Sequence, residues 1–264
     1  MAVEAMERAW DLEEVPEGAR DALFHAYLMA ARAGRVEAMT NAGLHLLYGD
    51  GVPQDVRHAF RWMRKAAGLG DGVAAFNLAL SYEKGPCIRP NRRLAEYWYR
   101  RAVSLGFPPA RMNLAALLVQ SSDKEKLKES VALYRESARL GNVKALLYVA
   151  FAYEQGRGVR KNLGRAIQIY KKAADAGNAD AQCVLGWMCL NGVGGSTDIL
   201  GALRWYQQSA EQGNASALFS LGQMYGEGNG VPKSRTRAAR YLRLAAALGH
   251  SRSADYLKEL GFEV

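Results

Sequence analysis

The sequence predicts an all-α chain, a solenoid of about six helix–turn–helix repeats with capping helices at its ends. Three observations predict it. One short segment ending in glycine recurs at a fixed interval, apolar residues between those glycines fall three and four apart, and 7 prolines stand against 27 glycines. Scarce proline leaves helices uninterrupted, because each proline removes a backbone donor and fixes φ.

In chain order, residues 3–12 read as an extra helix covering the exposed end of the stack. Residues 22–34 read as a lone second helix ending in Met29-Ala-Ala-Arg-Ala-Gly34. Six further endings follow: Lys65-Ala-Ala-Gly-Leu-Gly70, Arg101-Ala-Val-Ser-Leu-Gly106, Ser137-Ala-Arg-Leu-Gly141, Lys172-Ala-Ala-Asp-Ala-Gly177, Gln208-Ser-Ala-Glu-Gln-Gly213 and Leu244-Ala-Ala-Ala-Leu-Gly249. Successive closing glycines are 36, 36, 35, 36, 36 and 36 residues apart. Each unit opens with a first helix whose stripe is alanine, a large residue or its equivalent, a small one and an aromatic or aliphatic one, as in Ala74, Leu78, Ala79 and Tyr82, or Ala145, Val149, Ala150 and Tyr153, or Ala217, Leu221, Gly222 and Tyr225. A glycine turn ends it, as in Gly49-Asp-Gly-Val52, Gly156-Arg-Gly-Val159, Gly228-Asn-Gly-Val231 and the variant Gly192-Val-Gly-Gly195, since glycine adopts the left-handed conformation that stops a helix. A second helix follows, carrying Ala59, Trp62 and Met63, Ala95, Trp98 and Tyr99, or Ala202, Trp205 and Tyr206. Residues 251–260 read as a lone first helix. One such hairpin cannot bury its stripe alone and must stack on its neighbours.

This pattern closely resembles the SEL-one-like repeat (SLR), a relative of the tetratricopeptide repeat with a longer, glycine-rich turn. The resemblance covers residues 35–249 as six full units, with 1–34 as an acidic cap and half repeat and 250–264 as a C-terminal capping half repeat. It implies a right-handed α/α superhelix. Two units depart from it. The third replaces the glycine turn by Gln120-Ser-Ser-Asp-Lys-Glu-Lys-Leu-Lys128 and has Leu133 where others have a bulkier side chain, so its loop is expected to be more polar and more mobile, a drifted repeat rather than a contact site. The second has Gly85-Pro-Cys87, where Pro86 stiffens the turn.

Chemistry is sparse. His25, His45, His58 and His250 occupy unrelated positions without zinc-ligand spacing. Cys87, Cys183 and Cys189 are too few for a disulfide framework, and the helical pair reads as small buried hydrophobes. The Gly192 loop follows a helix and lacks a lysine, so it is no phosphate loop. Some relatives, cysteine-rich bacterial proteins, are linked to β-lactam binding or hydrolysis. Their regular cysteine pairs and any Ser-x-x-Lys motif are missing here, so no catalytic residue, cofactor or metal is expected. No apolar run reaches membrane-spanning length, and an acidic start at Glu4, Glu7, Asp11, Glu13, Glu14 and Glu17 is unlike a targeting segment, so a cytoplasmic protein is expected.

The formal charge is +9. Residues 1–18 carry −5 of it, which leaves +14 on the remainder. Cations gather on turns and second helices, including Arg61, Arg64, Arg165, Lys172, Arg240 and Arg243, and are expected to form a basic convex ridge. Solvated charge ranks first as its explanation, an acidic protein partner second and nucleic acid third, because the nearby aromatics sit at core positions.

The register of related helical repeats places the second and sixth residues after each leading alanine on the concave wall. These are Thr40 and Leu44, Phe76 and Leu80, Met112 and Ala116, Leu147 and Phe151, Cys183 and Trp187, and Phe219 and Gln223. A wall rich in Phe, Met and Trp suits protein binding, with Glu83, Lys84, Glu154, Gln155, Asn191 and Glu227 as a polar rim. The alternative is that these side chains pack between adjacent first helices. The sequence thus reads as a non-enzymatic scaffold or adaptor that holds a partner's helix or extended segment in this groove. An inhibitor or immunity-type protein neutralising an enzyme or toxin is the runner-up, and a hydrolase of the cysteine-rich type comes last. The tail Phe262-Glu-Val264 is a minor candidate ligand for a peptide-binding domain.

Overall fold

The computed structural model describes residues 17–85 and 87–262. The expected helix over 3–12, Pro86 and the last two residues of the tail lie outside them. Among the described residues there are fourteen helices and no strand, and the chain is an all-α helical-repeat solenoid. It divides into two compact units, 1–133 and 134–264.

The first unit holds α1 (Glu17–Arg32), α2 (Val36–Tyr48), α3 (Val56–Gly68), α4 (Gly72–Lys84), α5 (Arg92–Ser104), α6 (Pro109–Val119) and the start of α7 (Lys124–Arg139). Each helix from α1 to α5 packs on the next. The second unit holds the end of α7, then α8 (Val143–Gln155), α9 (Leu163–Asp175), α10 (Ala179–Leu190), α11 (Ile199–Glu211), α12 (Ala215–Glu227), α13 (Arg235–Ala247) and α14 (Ser253–Glu259). From α8 to α14 each helix again packs on the next, and α10 also touches α12.

The hairpin turns repeat one hydrogen-bonded device. Asp55, Asn91, Asn162, Asp198 and Ser234 each accept a side-chain bond from the backbone N–H three residues on, capping a second helix. The same residues donate their own N–H to Leu46, Tyr82, Tyr153, Cys189 and Tyr225 of the preceding helix at 2.7 to 2.9 Å. The third turn lacks this arrangement. Helix α6 ends on Gln120 at φ −79 rather than on a left-handed glycine, and Asp123 caps α7 by accepting from Glu125 at 2.8 Å. Its polar loop is tied back on α5 by Lys126, whose Nζ lies 2.7 Å from Glu96 Oε2, and by the Arg100–Glu129 pair.

Close approach within a hairpin explains the small residue in each stripe. A Cβ on Gly222 would lie 2.7 Å from Leu242 Cγ and 3.4 Å from the Ala238 carbonyl. The equivalent Ala79, Ala115 and Ala150 are fully buried. Met63 and Tyr206 stand in the same way against Gly43 and Gly186, and Tyr99, Tyr134 and Tyr170, at equivalent positions in the sequence, are also buried. At the C-terminal end Leu218, Leu242, Ala245 and Leu257 form a core cluster, with Leu260 and Phe262 packed against it.

Candidate functional site

Two recurring contacts position the surface residues. In the first, a tyrosine of a second helix bonds a glutamate of the first helix in the same repeat. Tyr99 Oη donates to Glu83 Oε2 at 2.5 Å, and Tyr170 Oη donates to Glu154 Oε2 at 2.8 Å. Burial, reinforced by the neighbouring carboxylate, pushes both phenols far above their usual range. Two of the expected rim acids, Glu83 and Glu154, are therefore fixed as internal acceptors. Lys84, Gln155, Asn191 and Glu227 remain exposed, and Asn191 Nδ2 donates to the Trp187 carbonyl at 2.8 Å.

In the second contact, arginines of second helices clamp Tyr82, Tyr153 and Tyr225, the aromatics that end three of the first-helix stripes. Arg64 Nη2 donates to Tyr82 Oη at 2.7 Å, Arg135 donates to Tyr153 Oη, and Arg165 and Arg237 lie 4.8 and 5.5 Å from the Tyr153 and Tyr225 ring centroids. Arg243 lies 5.7 Å from the Phe262 centroid. All six ridge residues singled out in the sequence, Arg61, Arg64, Arg165, Lys172, Arg240 and Arg243, are exposed. Part of that charge holds aromatic rings in place, which sequence inspection missed. The signal was present as a constant separation of 18 residues in Tyr82–Arg64 and Tyr153–Arg135.

The expected wall positions do not behave alike. In the first unit Thr40 is buried and bonds Asp71 at 2.5 Å. Phe76, expected on an open wall, is only 4% exposed, with the rings of Tyr99 and Phe107 at 5.8 and 5.1 Å. Leu44, Leu80, Met112 and Ala116 are half-buried. In the second unit Phe219 is 7% exposed, stacked under His250 at 4.3 Å with the Arg252 guanidinium 5.6 Å from its centroid. For Phe76 and Phe219 a ring about thirty residues further along the chain, Phe107 or His250, closes the position, so neither stands open. Leu147, Cys183 and Gln223 are half-buried.

Phe151 and Trp187 differ. They occupy the same register position of successive repeats, on α8 and α10, and are 45% and 51% exposed. Neither contacts another aromatic ring among the described residues. One turn from Phe151, Tyr148 is also exposed and stacks on Tyr134 at 4.5 Å with an 8° interplanar angle. The register had passed over Tyr148.

Burial, with Asp180 a lesser cause, pushes the Cys183 thiol up to about 11, which keeps it protonated near neutral pH. The histidines are engaged locally: His45 with Asp50, His58 with Asp55, His25 with Asp21 and His250 with Ser253. Among the described residues no group of three His, Cys, Asp or Glu side chains could hold a metal ion, and no helix is long and apolar enough to cross a membrane.

Capped hairpins stacked at a constant period, presenting rows of equivalent positions, define a helical-repeat protein. The Sel1 repeat model matches residues 36–71, 72–107, 108–142, 143–178, 179–214 and 215–250, and the chain belongs to the Sel1 repeat family. Repeats of this family generally mediate protein–protein interaction. Among solved structures, a Sel1 repeat protein from Oxalobacter formigenes is 27% identical at a TM-score of 0.74, covering 89% of this chain and 68% of that one. A protective antigen of uropathogenic Escherichia coli with an SLR fold is 26% identical at a TM-score of 0.71, and this chain, covered over 98%, spans 60% of its length. An immunity protein from Pseudomonas aeruginosa is 21% identical at a TM-score of 0.47, too distant to bear on this chain. No curated protein matches the sequence.

Proposed function

We propose that the chain is a non-enzymatic scaffold or adaptor whose second unit grips a helix or extended segment of a partner protein against Phe151 and Trp187. The observation that carries this reading is the exposure of two large aromatic side chains at one register position of successive repeats, where the equivalent Leu44, Leu80, Ala116 and Gln223 are half-buried. Aromatic anchors dominate binding energy because they bury large area at little rotamer cost. Leu147 and Tyr148 on α8 extend the apolar surface, and Gln155 and Asn191 supply polar edges. Of the original wall, Met112 and Leu80 in the first unit and Gln223 in the second remain accessible in part, whereas Phe76 and Phe219 serve the core.

The test is capture of the partner by wild type and by a Phe151→Glu/Trp187→Glu variant. Both side chains are about half exposed, so the variant should unfold at nearly the wild-type temperature and capture no partner. Undiminished capture overturns the reading.

A further inference from the structure

A groove of about 590 Å³ opens in the first unit between α3 and the loop joining α4 to α5. Four arginines line it. Arg57, Arg61 and Arg64 lie four and three residues apart along one face of α3, and Arg89 approaches from the loop. Among the described residues no aspartate or glutamate lines the groove. Its floor is apolar, built on Phe60 and Tyr82, whose rings meet edge to face at 5.3 Å. Arg64 is held by its bond to Tyr82 Oη and by the Phe60 ring 5.7 Å from its guanidinium carbon. Arg57, Arg61 and Arg89 make no hydrogen bond or ion pair among the described residues. Three guanidiniums facing one groove repel one another, and among the described residues no carboxylate pairs with them.

We propose that this groove binds an acidic peptide segment of a protein partner. Its carboxylates would pair with Arg57, Arg61 and Arg89, and an apolar side chain would rest on the Phe60–Tyr82 floor. Guanidinium forks match carboxylates bidentately, which gives both strength and orientation. Charge selects the sign of the ligand, and the floor selects a peptide over a nucleic acid. Base stacking requires an open aromatic plane, whereas Phe60 and Tyr82 are buried against each other. The site stands apart from the aromatic pair of the second unit and does not depend on it.

The probe is a fluorescein-labelled peptide of alternating glutamate and leucine, read by anisotropy on the full chain at about 50 mM salt. A glutamine–leucine peptide and a single-stranded oligonucleotide serve as comparisons. The proposal expects saturable binding of the acidic peptide that weakens as salt rises. Affinity should fall roughly tenfold or more in Arg57→Gln/Arg61→Gln/Arg89→Gln and stay unchanged in Arg240→Gln/Arg243→Gln, which carries the same kind of change in the other unit. The substituted side chains are exposed, so circular dichroism should show an unaltered helix signal. Equal affinity in the two variants, no binding of the acidic peptide, or an oligonucleotide that binds as tightly and with the same arginine dependence would each overturn it.

Discussion

Tyr170 on α9 donates its phenolic hydrogen to Glu154 on α8 at 2.8 Å, and Tyr134 one repeat earlier has no such acceptor. The repeat position held by Glu83 and Glu154 is held by Val119 in the third unit, and the Tyr134 hydroxyl is buried without a hydrogen-bond partner. Tyr170→Phe should therefore lower unfolding free energy by about 1–2 kcal/mol, because it removes a bond to a charged acceptor. Tyr134→Phe should be neutral or slightly stabilising, since it removes an unsatisfied buried group. Urea titrations of the two variants give the comparison, and an equal loss in both would contradict it.

Packing at the small-residue column makes a second contrast. Gly222→Ala must displace Leu242 and is expected to cost about 1–3 kcal/mol as an overpacked core. Gly230→Ala should cost at least as much, because Gly230 sits at φ 72 and an added Cβ would fall 2.2 Å from Ile199 Cγ2. Gly164→Ala, on the exposed first turn of α9 with its nearest neighbour at 3.7 Å, should instead stabilise by about 0.4–1 kcal/mol. Thermal melts of the three variants show whether the signs divide this way.

The repeat was readable because its period is set by residues with unique backbone or steric roles: closing glycines and small residues under a hairpin crossing. The wall was readable only as a register. Whether a wall position is open depends on a residue about thirty places away, Phe107 for Phe76 and His250 for Phe219, and neither lies at a wall position itself. The Tyr–Glu brackets follow the same logic. Both members fit the helical pattern, and only their shared separation of 16 residues ties them together.

Acid should loosen the C-terminal end. Burial lowers the His250 pKa, with Arg252 a lesser cause, while its ring stacks on Phe219 and its Nδ1 meets Ser253 Oγ. The unfolded chain then takes up a proton that the folded imidazole resists. Stability falls as pH drops below about 6.5, the unfolded value, and levels off only below the lowered folded value. Urea midpoints measured at about pH 8 and about pH 5 should differ less in His250→Gln than in wild type. An unchanged difference would remove His250 as a source of the acid sensitivity.

Thiol reactivity should follow burial. Cys183, pushed up to about 11, is expected to resist alkylation near neutral pH and to react only as pH approaches that value in the folded protein. Mass-spectrometric mapping of iodoacetamide adducts reads this directly, and rapid modification of Cys183 near neutral pH would contradict it.

The most direct measurement places a photo-crosslinker at the open aromatic pair. Trp187→p-benzoylphenylalanine, irradiated in the presence of cell extract, should capture a discrete protein that the same probe at Leu200, still more exposed on α11, does not. Purified, that protein should bind the wild-type chain and lose at least roughly tenfold in affinity for Phe151→Glu/Trp187→Glu. The same captures from both positions, or an affinity indifferent to the double substitution, would contradict a partner-binding role for this face.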